Sequence, residues 1–136
     1  MKKLATTTAV ILMAFSWQTS AAEPNEARTI SGLVITMLKE GTGASPEKRD
    51  TVKVHYRGVL ADGKEFDSSY GRGQPTTFQL NSVIPCWTEG IQLMQVGGKA
   101  KLVCPSKLAY GSEGIPGTIP PNATLIFEVE LLEIVR

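Results

Sequence analysis

The stretch Thr51-Val-Lys-Val-His-Tyr-Arg-Gly-Val-Leu60 decides the fold class, because apolar and polar side chains alternate along most of it. The alternation places two valines and Tyr56 on one face of a strand, and the charged residues and His55 on the other. This pattern is typical of an antiparallel strand with one face in the core and the other in water. An Asp62-Gly63 pair follows, which is a strong short-range signal for a hairpin turn. The sequence therefore predicts an antiparallel sheet around this strand.

Further segments of strand character lie on both sides of this stretch, at residues 33–38, 76–80, 99–104 and 124–135. In the last segment, the Leu131-Leu132 doublet interrupts the alternation and predicts a bulge or a covered strand end. One helix is expected from Trp87 to Met94, since its apolar residues follow helical spacing and Gly97-Gly98 suits a helix end. Residues 105–121 are rich in proline and glycine and predict a long loop. We predict an α+β fold in which a twisted antiparallel sheet of about five strands wraps around one short helix as a half-barrel.

Composition excludes several classes of protein. The chain has 136 residues, of which 42% are hydrophobic, and a formal net charge of +1. This suits a single globular domain, and the near-zero charge provides no electrostatic attraction to nucleic acid or to an anionic membrane. One histidine and two cysteines are too few for a usual zinc site, so we expect no metal and no cofactor. Residues 23–30 are polar and without a period, so we expect a short flexible lead-in before a domain at residues 31–136.

Residues 1–22 have the pattern of a secretory signal peptide. Two early lysines precede an apolar to neutral segment, Leu4–Trp17, and the small residues 20–22 suit signal peptidase. A transmembrane anchor is the alternative, but the continuous apolar run, Ala9–Phe15, is far shorter than the roughly 18–20 residues that span a bilayer. We expect cleavage after Ala22, a periplasmic or secreted location, and no membrane association of the remaining chain.

Export changes the interpretation of Cys86 and Cys104, the two cysteines of the chain. In an oxidising compartment, an even number of cysteines favours a disulfide, which would stabilise the fold by about 3 kcal/mol for a loop of this length. Two buried thiols that pack as small apolar groups are one alternative. A reactive nucleophile is the other, although the pair does not form a C-x-x-C motif.

The sequence lacks the usual catalytic motifs, including a nucleophile elbow, a phosphate-binding loop and paired carboxylates at helical spacing. His55 lies on the polar face of its strand and is expected to be a solvated surface residue. A reaction in this domain must therefore proceed without a strong acid or a nucleophile. Rotation about an X–Pro bond is such a reaction, because it breaks no covalent bond and meets a barrier of about 18–20 kcal/mol from amide resonance. An apolar pocket that holds a twisted amide could catalyse it.

Seven motifs follow one another between residues 54 and 132. They are Val54-His-Tyr56-x-Gly58, Asp62-Gly63-Lys64-x-Phe66-Asp67-Ser68-Ser69, Phe78-x-Leu80, Val83-Ile84-Pro85-x-Trp87-x-Glu89-Gly90, Leu108-Ala-Tyr-Gly111, Ile119-Pro-Pro-Asn-Ala-Thr-Leu-Ile-Phe127 and Val129-Glu-Leu-Leu132. In this order and spacing they resemble the FK506-binding protein (FKBP) class of peptidyl-prolyl isomerases. The resemblance implies a twisted antiparallel sheet around one short helix, in agreement with the pattern of strands described above.

The resemblance also implies a pocket for the proline ring, with Val83 and Ile84 beside its aromatic lining. Trp87 would form the floor, the main-chain N–H of Ile84 would hold a substrate carbonyl, and the Tyr110 hydroxyl would donate to the carbonyl nearer the rotating bond. When each aromatic residue is taken singly, core packing is the better explanation, and it remains an alternative. The aromatic lining implied by the family consists of Tyr56, Phe66, Trp87, Tyr110 and Phe127.

Asp67 is the main polar candidate, since the family pattern turns this carboxylate to the pocket, where it accepts a hydrogen bond from Tyr56. An ordinary turn or capping aspartate before Ser68-Ser69 is the alternative. Two rim positions depart from common family residues: Thr76 stands in place of an aromatic residue and Ile115 in place of a histidine, which affects the rim more than the floor. The expected rim residues are Arg72, Thr76, Ile115 and Ile119.

We therefore expect a peptidyl-prolyl cis–trans isomerase that stabilises a twisted amide in an apolar pocket without covalent chemistry. Its partners would be proline-containing polypeptides, in particular exported proteins during folding, and the family implies macrolide inhibitors as ligands. A non-catalytic module that binds proline segments, or a general chaperone, is the alternative function. The helical dimerisation arm of related exported members has no counterpart before residue 31, so we expect a monomer. If Cys86 and Cys104 are paired, they would tie the start of the helix to the end of a strand.

Overall fold

The centre of the fold is one antiparallel sheet, which the computed structural model shows within the described residues 25–136. Its two longest strands pair with each other along their length, and every other pairing in the sheet is also antiparallel. The strands are β1 (Glu26–Arg28), β2 (Val34–Lys39), β3 (Thr51–Leu60), β4 (Glu65–Ser68), β5 (Thr76–Gln79), β6 (Lys99–Cys104) and β7 (Leu125–Val135). Their order is β1-β2-β6-β7-β3-β4, with β5 also paired to β3.

Two helices and two 3₁₀ turns complete the described region: α1 (Ser69–Arg72), α2 (Pro85–Ile91), Leu80–Ser82 and Ser106–Leu108. The antiparallel sheet with few helices confirms the predicted fold class. The structure has seven strands where about five were expected, because β1 and β4 are too short to show a period.

The predicted alternation along β3 is confirmed. Val52, Val54 and Tyr56 are buried in the core, while the residues between them are more exposed. The hairpin after β3 turns at Gly63, which adopts a positive φ of 93° and donates its N–H to the Leu60 carbonyl. These features place the apolar face of β3 against α2, where the functional cavity forms.

The bulge that the Leu131-Leu132 doublet predicts is present. Lys53 of β3 pairs with Glu133, whereas the next residue, Val54, pairs with Leu131, so Leu132 has no partner in the register. The extra residue in β7 therefore bends the strand at the point where it continues beyond the core.

Helix α2 begins at Pro85 and ends at Ile91, whereas Trp87 to Met94 was expected. Proline is favoured in the first helical turn, which explains the earlier start. The chain beyond Ile91 tightens, because the N–H groups of Leu93 and Met94 each bond the carbonyl three residues earlier. Trp87 and Ile91 still face the core, as the spacing predicted.

The segment expected to be a lead-in without regular structure contains β1. Glu26–Arg28 pairs antiparallel with Val34–Thr36 of β2, and a turn at Thr29–Gly32 joins them. Backbone pairing with an edge strand stabilises this segment without an apolar period, which is why composition does not reveal it.

The expected disulfide between Cys86 and Cys104 is present, with the two Cα atoms 5.8 Å apart and both side chains fully buried. It joins the first turn of α2 to the last residue of β6.

The expected signal peptide and its cleavage after Ala22 lie outside the described residues. Across residues 25–136 no helix has the length and apolar character needed to cross a membrane.

Candidate active site

A cavity of about 450 Å³ opens between the concave face of the sheet and the start of α2. Trp87, in the first turn of α2, is only 4% exposed and packs edge to face against three other rings. Its ring centroid lies 5.0 Å from that of Tyr56, 5.2 Å from that of Phe78 and 5.3 Å from that of Phe127. Phe66 extends this cluster through an edge contact with Phe127 at 5.6 Å. The cluster leaves an apolar recess with rigid walls, of a size that suits a small ring.

Gly58 of β3 makes room for two of these rings. A Cβ atom at this position would lie 2.6 Å from Cζ of Phe66 and 2.8 Å from Cε1 of Phe127. Gly58 pairs with Asp67 of β4 on one side and with Phe127 of β7 on the other, so these two lining residues lie directly beside β3. A side chain here would displace the aromatic wall.

One edge of the cavity is polar and is built around Asp67. One carboxylate oxygen, Oδ2, accepts a hydrogen bond of 2.5 Å from the Tyr56 hydroxyl. The other, Oδ1, accepts from Nη1 of Arg72 at 2.6 Å and from the N–H of Ser68 at 2.9 Å. Nη2 of Arg72 also donates to the Tyr56 hydroxyl and to Thr76 Oγ1, at 3.1 and 3.2 Å. These bonds hold the carboxylate and the phenol in one arrangement.

The bonds also fix the charge of this edge. Partial burial alone would raise the pKa of Asp67, but the hydrogen bonds from Tyr56 and Arg72 outweigh burial, so the pKa lies below its usual value. Burial raises the pKa of the Tyr56 hydroxyl, and the hydrogen bond to Asp67 raises it further. At neutral pH, the cavity therefore borders an ionised carboxylate and a protonated phenol.

A second part of the cavity lining has two donors free for a ligand. The N–H of Ile84 makes no hydrogen bond among the described residues, although its carbonyl accepts from the N–H groups of Trp87 and Thr88 at 3.0 and 3.1 Å. The side chain of Tyr110 lines the cavity and is 39% exposed, and within residues 25–136 its hydroxyl has no protein partner. A carbonyl group of a bound peptide could take up either donor.

The eight residues expected at the centre of the site all line this one cavity. The structure adds Phe78 and Ser82, neither of which was expected in the lining. Phe78 begins the motif Phe78-x-Leu80 and lies two residues after Thr76 on β5, and these were the available signals for its position. The expected residues found together are Tyr56, Phe66, Asp67, Val83, Ile84, Trp87, Tyr110 and Phe127.

The four expected rim residues separate into two pairs. Arg72 and Thr76 belong to the polar edge through their mutual hydrogen bond. Ile115 and Ile119 do not line the cavity: they bond each other's backbone through two hydrogen bonds of 2.8 Å, which fold this loop into its own turn. Ile119 is buried beside Leu60 at a separate cavity, and the place of both isoleucines at the rim of a bound substrate stays a prediction.

His55 also differs from the solvated residue that was expected. Its Nδ1 lies 2.7 Å from Ser69 Oγ, and its ring stacks on Tyr70 with centroids 4.6 Å apart.

Among the described residues, no group of three or more histidine, cysteine, aspartate or glutamate side chains is arranged to hold a metal ion. The cavity thus provides an apolar recess, two donors and a fixed carboxylate.

Comparison with known proteins shows the family to which the chain is similar. Residues 42–132 match the family described as FKBP-type peptidyl-prolyl cis-trans isomerase. The chain is 61% identical over 106 residues to the FKBP-type peptidyl-prolyl cis-trans isomerase FkpA of Aeromonas hydrophila, covering 78% of this chain and 39% of that protein. It is 53% identical over 114 residues to FkpA of Escherichia coli, covering 84% and 42%.

Solved structures agree. The crystal structure of Escherichia coli FkpA superposes with a TM-score of 0.79 at 53% identity, covering 82% of this chain and 52% of that one. A peptidyl-prolyl cis-trans isomerase from Pseudomonas syringae superposes with a TM-score of 0.79 at 43% identity, covering 85% and 84%. The chain spans about two fifths of the length of the two FkpA sequences. From its fold, its ordered motifs and these matches, the chain belongs to the FKBP-type peptidyl-prolyl cis-trans isomerase family.

Proposed function

We propose that this protein catalyses cis–trans isomerisation of X–Pro peptide bonds. The observation that carries the proposal is the aromatic recess above Trp87, which has free donors in one part of its lining and an ionised carboxylate in another. A pyrrolidine ring packed on the indole would bury its apolar surface. The peptide bond before it would then lie near these polar groups.

The mechanism follows from the change in the amide during rotation. A planar amide spreads its nitrogen lone pair over the carbonyl, whereas a twisted amide loses this resonance and its nitrogen becomes pyramidal. Donors from Ile84 N–H and the Tyr110 hydroxyl would hold the carbonyls on either side of the bond. Only interactions that are stronger in the twisted state lower the barrier, and each 1.4 kcal/mol or so of such a difference gives about a tenfold increase in rate.

Asp67 acts electrostatically in this proposal. Its carboxylate is held by Tyr56 and Arg72 before substrate arrives, so no reorganisation is needed when the dipole of the amide changes. No proton is transferred, and no covalent intermediate forms. A bound peptide would displace water from the recess, which would strengthen the interaction between the fixed charge and the amide.

The test is the exchange rate between cis and trans forms of an Ala-Leu-Pro-Phe peptide, measured by NMR with and without substoichiometric protein. Accelerated exchange is the expected result. The matched control is Leu38→Ala, because Leu38 is 48% exposed on β2 and lies outside the cavity lining. Peptide shifts without a change in exchange would contradict the proposal and would identify a binding module instead.

The substrates we propose are proline-containing segments of exported proteins during folding, in the periplasm or outside the cell. The signal-peptide pattern at residues 1–22 supports export. A monomer remains a prediction from the sequence. Macrolide inhibitors that carry a proline-like ring would compete for the same recess.

A further inference from the structure

Strand β3 has a gap in its pairing beside the cavity. On the edge away from β7, β5 pairs with β3 as far as Val54, and β4 pairs with it from Arg57 onward. Neither strand pairs with Tyr56 on this edge. The side chain of Ser69, the first residue of α1, fills the gap: its Oγ accepts the Tyr56 N–H at 2.7 Å and lies 3.3 Å from the Tyr56 carbonyl oxygen. A hydroxyl group thus replaces a strand at this one position.

His55 competes for the same hydroxyl group. Its Nδ1 lies 2.7 Å from Ser69 Oγ, and Ser69 is fully buried, so water does not reach the contact. The hydroxyl has one proton to donate and already accepts from Tyr56. It can therefore donate either to the imidazole or to the Tyr56 carbonyl, and not to both.

The proton count gives two arrangements. When Nδ1 of neutral His55 carries no proton, Ser69 donates to it over the shorter distance, and the Tyr56 carbonyl has no donor from Ser69. When His55 is protonated, Nδ1 donates to Ser69 Oγ, and the hydroxyl proton turns to the Tyr56 carbonyl. The second arrangement satisfies both backbone groups of Tyr56.

We propose that His55 and Ser69 are positioning residues for Tyr56, and that protonation of His55 transfers the Ser69 hydrogen bond from the imidazole to the Tyr56 carbonyl. The functional part of this inference rests on the proposed isomerase activity. Tyr56 connects the relay to the site, because its ring contacts Trp87 and its hydroxyl bonds Asp67. Ser69 also begins α1, whose last residue, Arg72, holds the same carboxylate.

Tyr70 stacks on the imidazole and keeps its proton, since burial and a hydrogen bond to Glu130 raise its pKa to about 12. Histidine is the side-chain type that ordinarily titrates between pH 5 and 8, and the chain contains one histidine. The charged or titratable groups on the elements around it are Tyr70 and Arg72 of α1, Glu128, Glu130 and Glu133 of β7, Lys99 and Lys101 of β6, and Lys53, Tyr56 and Arg57 of β3.

The first test is ¹⁵N NMR of the imidazole, which belongs to His55 alone. We expect neutral His55 to carry its proton on Nε2, and the Tyr56 amide resonance to shift with the same midpoint as the imidazole. A neutral ring protonated at Nδ1 would overturn the proposal, because the Ser69 proton would then have no reason to move. This test needs no activity, so it separates failure of the relay from failure of the proposed function.

The second test is the pH profile of kcat/KM between pH 5 and 8. We expect a step of about twofold to threefold, higher on the acid side, because a Tyr56 held at both backbone groups keeps Asp67 in the geometry that favours the twisted amide. Ser69→Ala and His55→Phe should both lose the step, and His55→Phe keeps a ring to stack on Tyr70. Lys53→Gln is the control: it removes a charge from the same face of β3, and it should retain the step. A step that persists in Ser69→Ala or His55→Phe would contradict the relay.

Discussion

Reduction of the disulfide between Cys86 and Cys104 should lower the free energy of unfolding by about 3 kcal/mol. The two residues are 18 positions apart, and closing a loop of this length removes that much conformational free energy from the unfolded chain. With an unfolding entropy of about 2.1 cal/mol/K per residue, the same change over residues 25–136 lowers Tm by about 13 °C. The bond joins α2 to β6.

The assay is urea unfolding of the oxidised protein and of the reduced, thiol-blocked protein. A Cys86→Ala, Cys104→Ala double variant separates the cross-link from packing. It removes two buried sulfur atoms and should therefore lose more stability than the reduced wild-type chain with unblocked thiols, kept under reductant. A reduced protein within about 1 kcal/mol of the oxidised form would refute the loop-closure argument. Loss of activity on heating should coincide with unfolding, because Cys86 immediately precedes Trp87, which forms the cavity floor.

Three further predictions concern the site. Asp67→Ala and Tyr110→Phe should each lower kcat for a proline peptide by about tenfold, while far-UV circular dichroism stays unchanged; wild-type rates in both variants would remove these residues from the mechanism. The pKa of Asp67 is depressed in the folded state, so its contribution to stability is complete above about pH 5 and is lost as the pH falls through the folded pKa. Urea unfolding measured from pH 6 to pH 2 would detect this loss. A contribution that is lost at higher pH would contradict this sign. Gly58→Ala should destabilise the fold by about 1–3 kcal/mol and weaken peptide binding, because the added Cβ collides with Phe66 and Phe127; an unchanged Kd in an NMR titration would show that the rings can move aside.

Much of this fold is predictable because its signals are local. The alternation along residues 51–60 and the Asp62-Gly63 pair specify a half-buried strand and its hairpin within a dozen residues of chain. Proline is more informative than the apolar period at the start of α2: Pro85 begins the helix two residues before the first spaced apolar residue. The strand at Glu26–Arg28 has no such signal, since its pairing with β2 depends on backbone hydrogen bonds rather than on side chains.

The sequence by itself determined the antiparallel half-barrel, the aromatic composition of the cavity and, through the resemblance in its motifs, the residues around Asp67. These properties follow from side-chain periodicity and from residue identity, which are present in the chain before it folds. The tertiary structure decided which distant residues meet. It placed Phe78 in the wall, put Ile119 at a separate cavity, and put Ser69 into the pairing gap of β3. The position of Ser69 depends on how β4 and β5 share one edge of β3. The register between segments distant in the chain is set by packing and hydrogen bonding that no local pattern encodes.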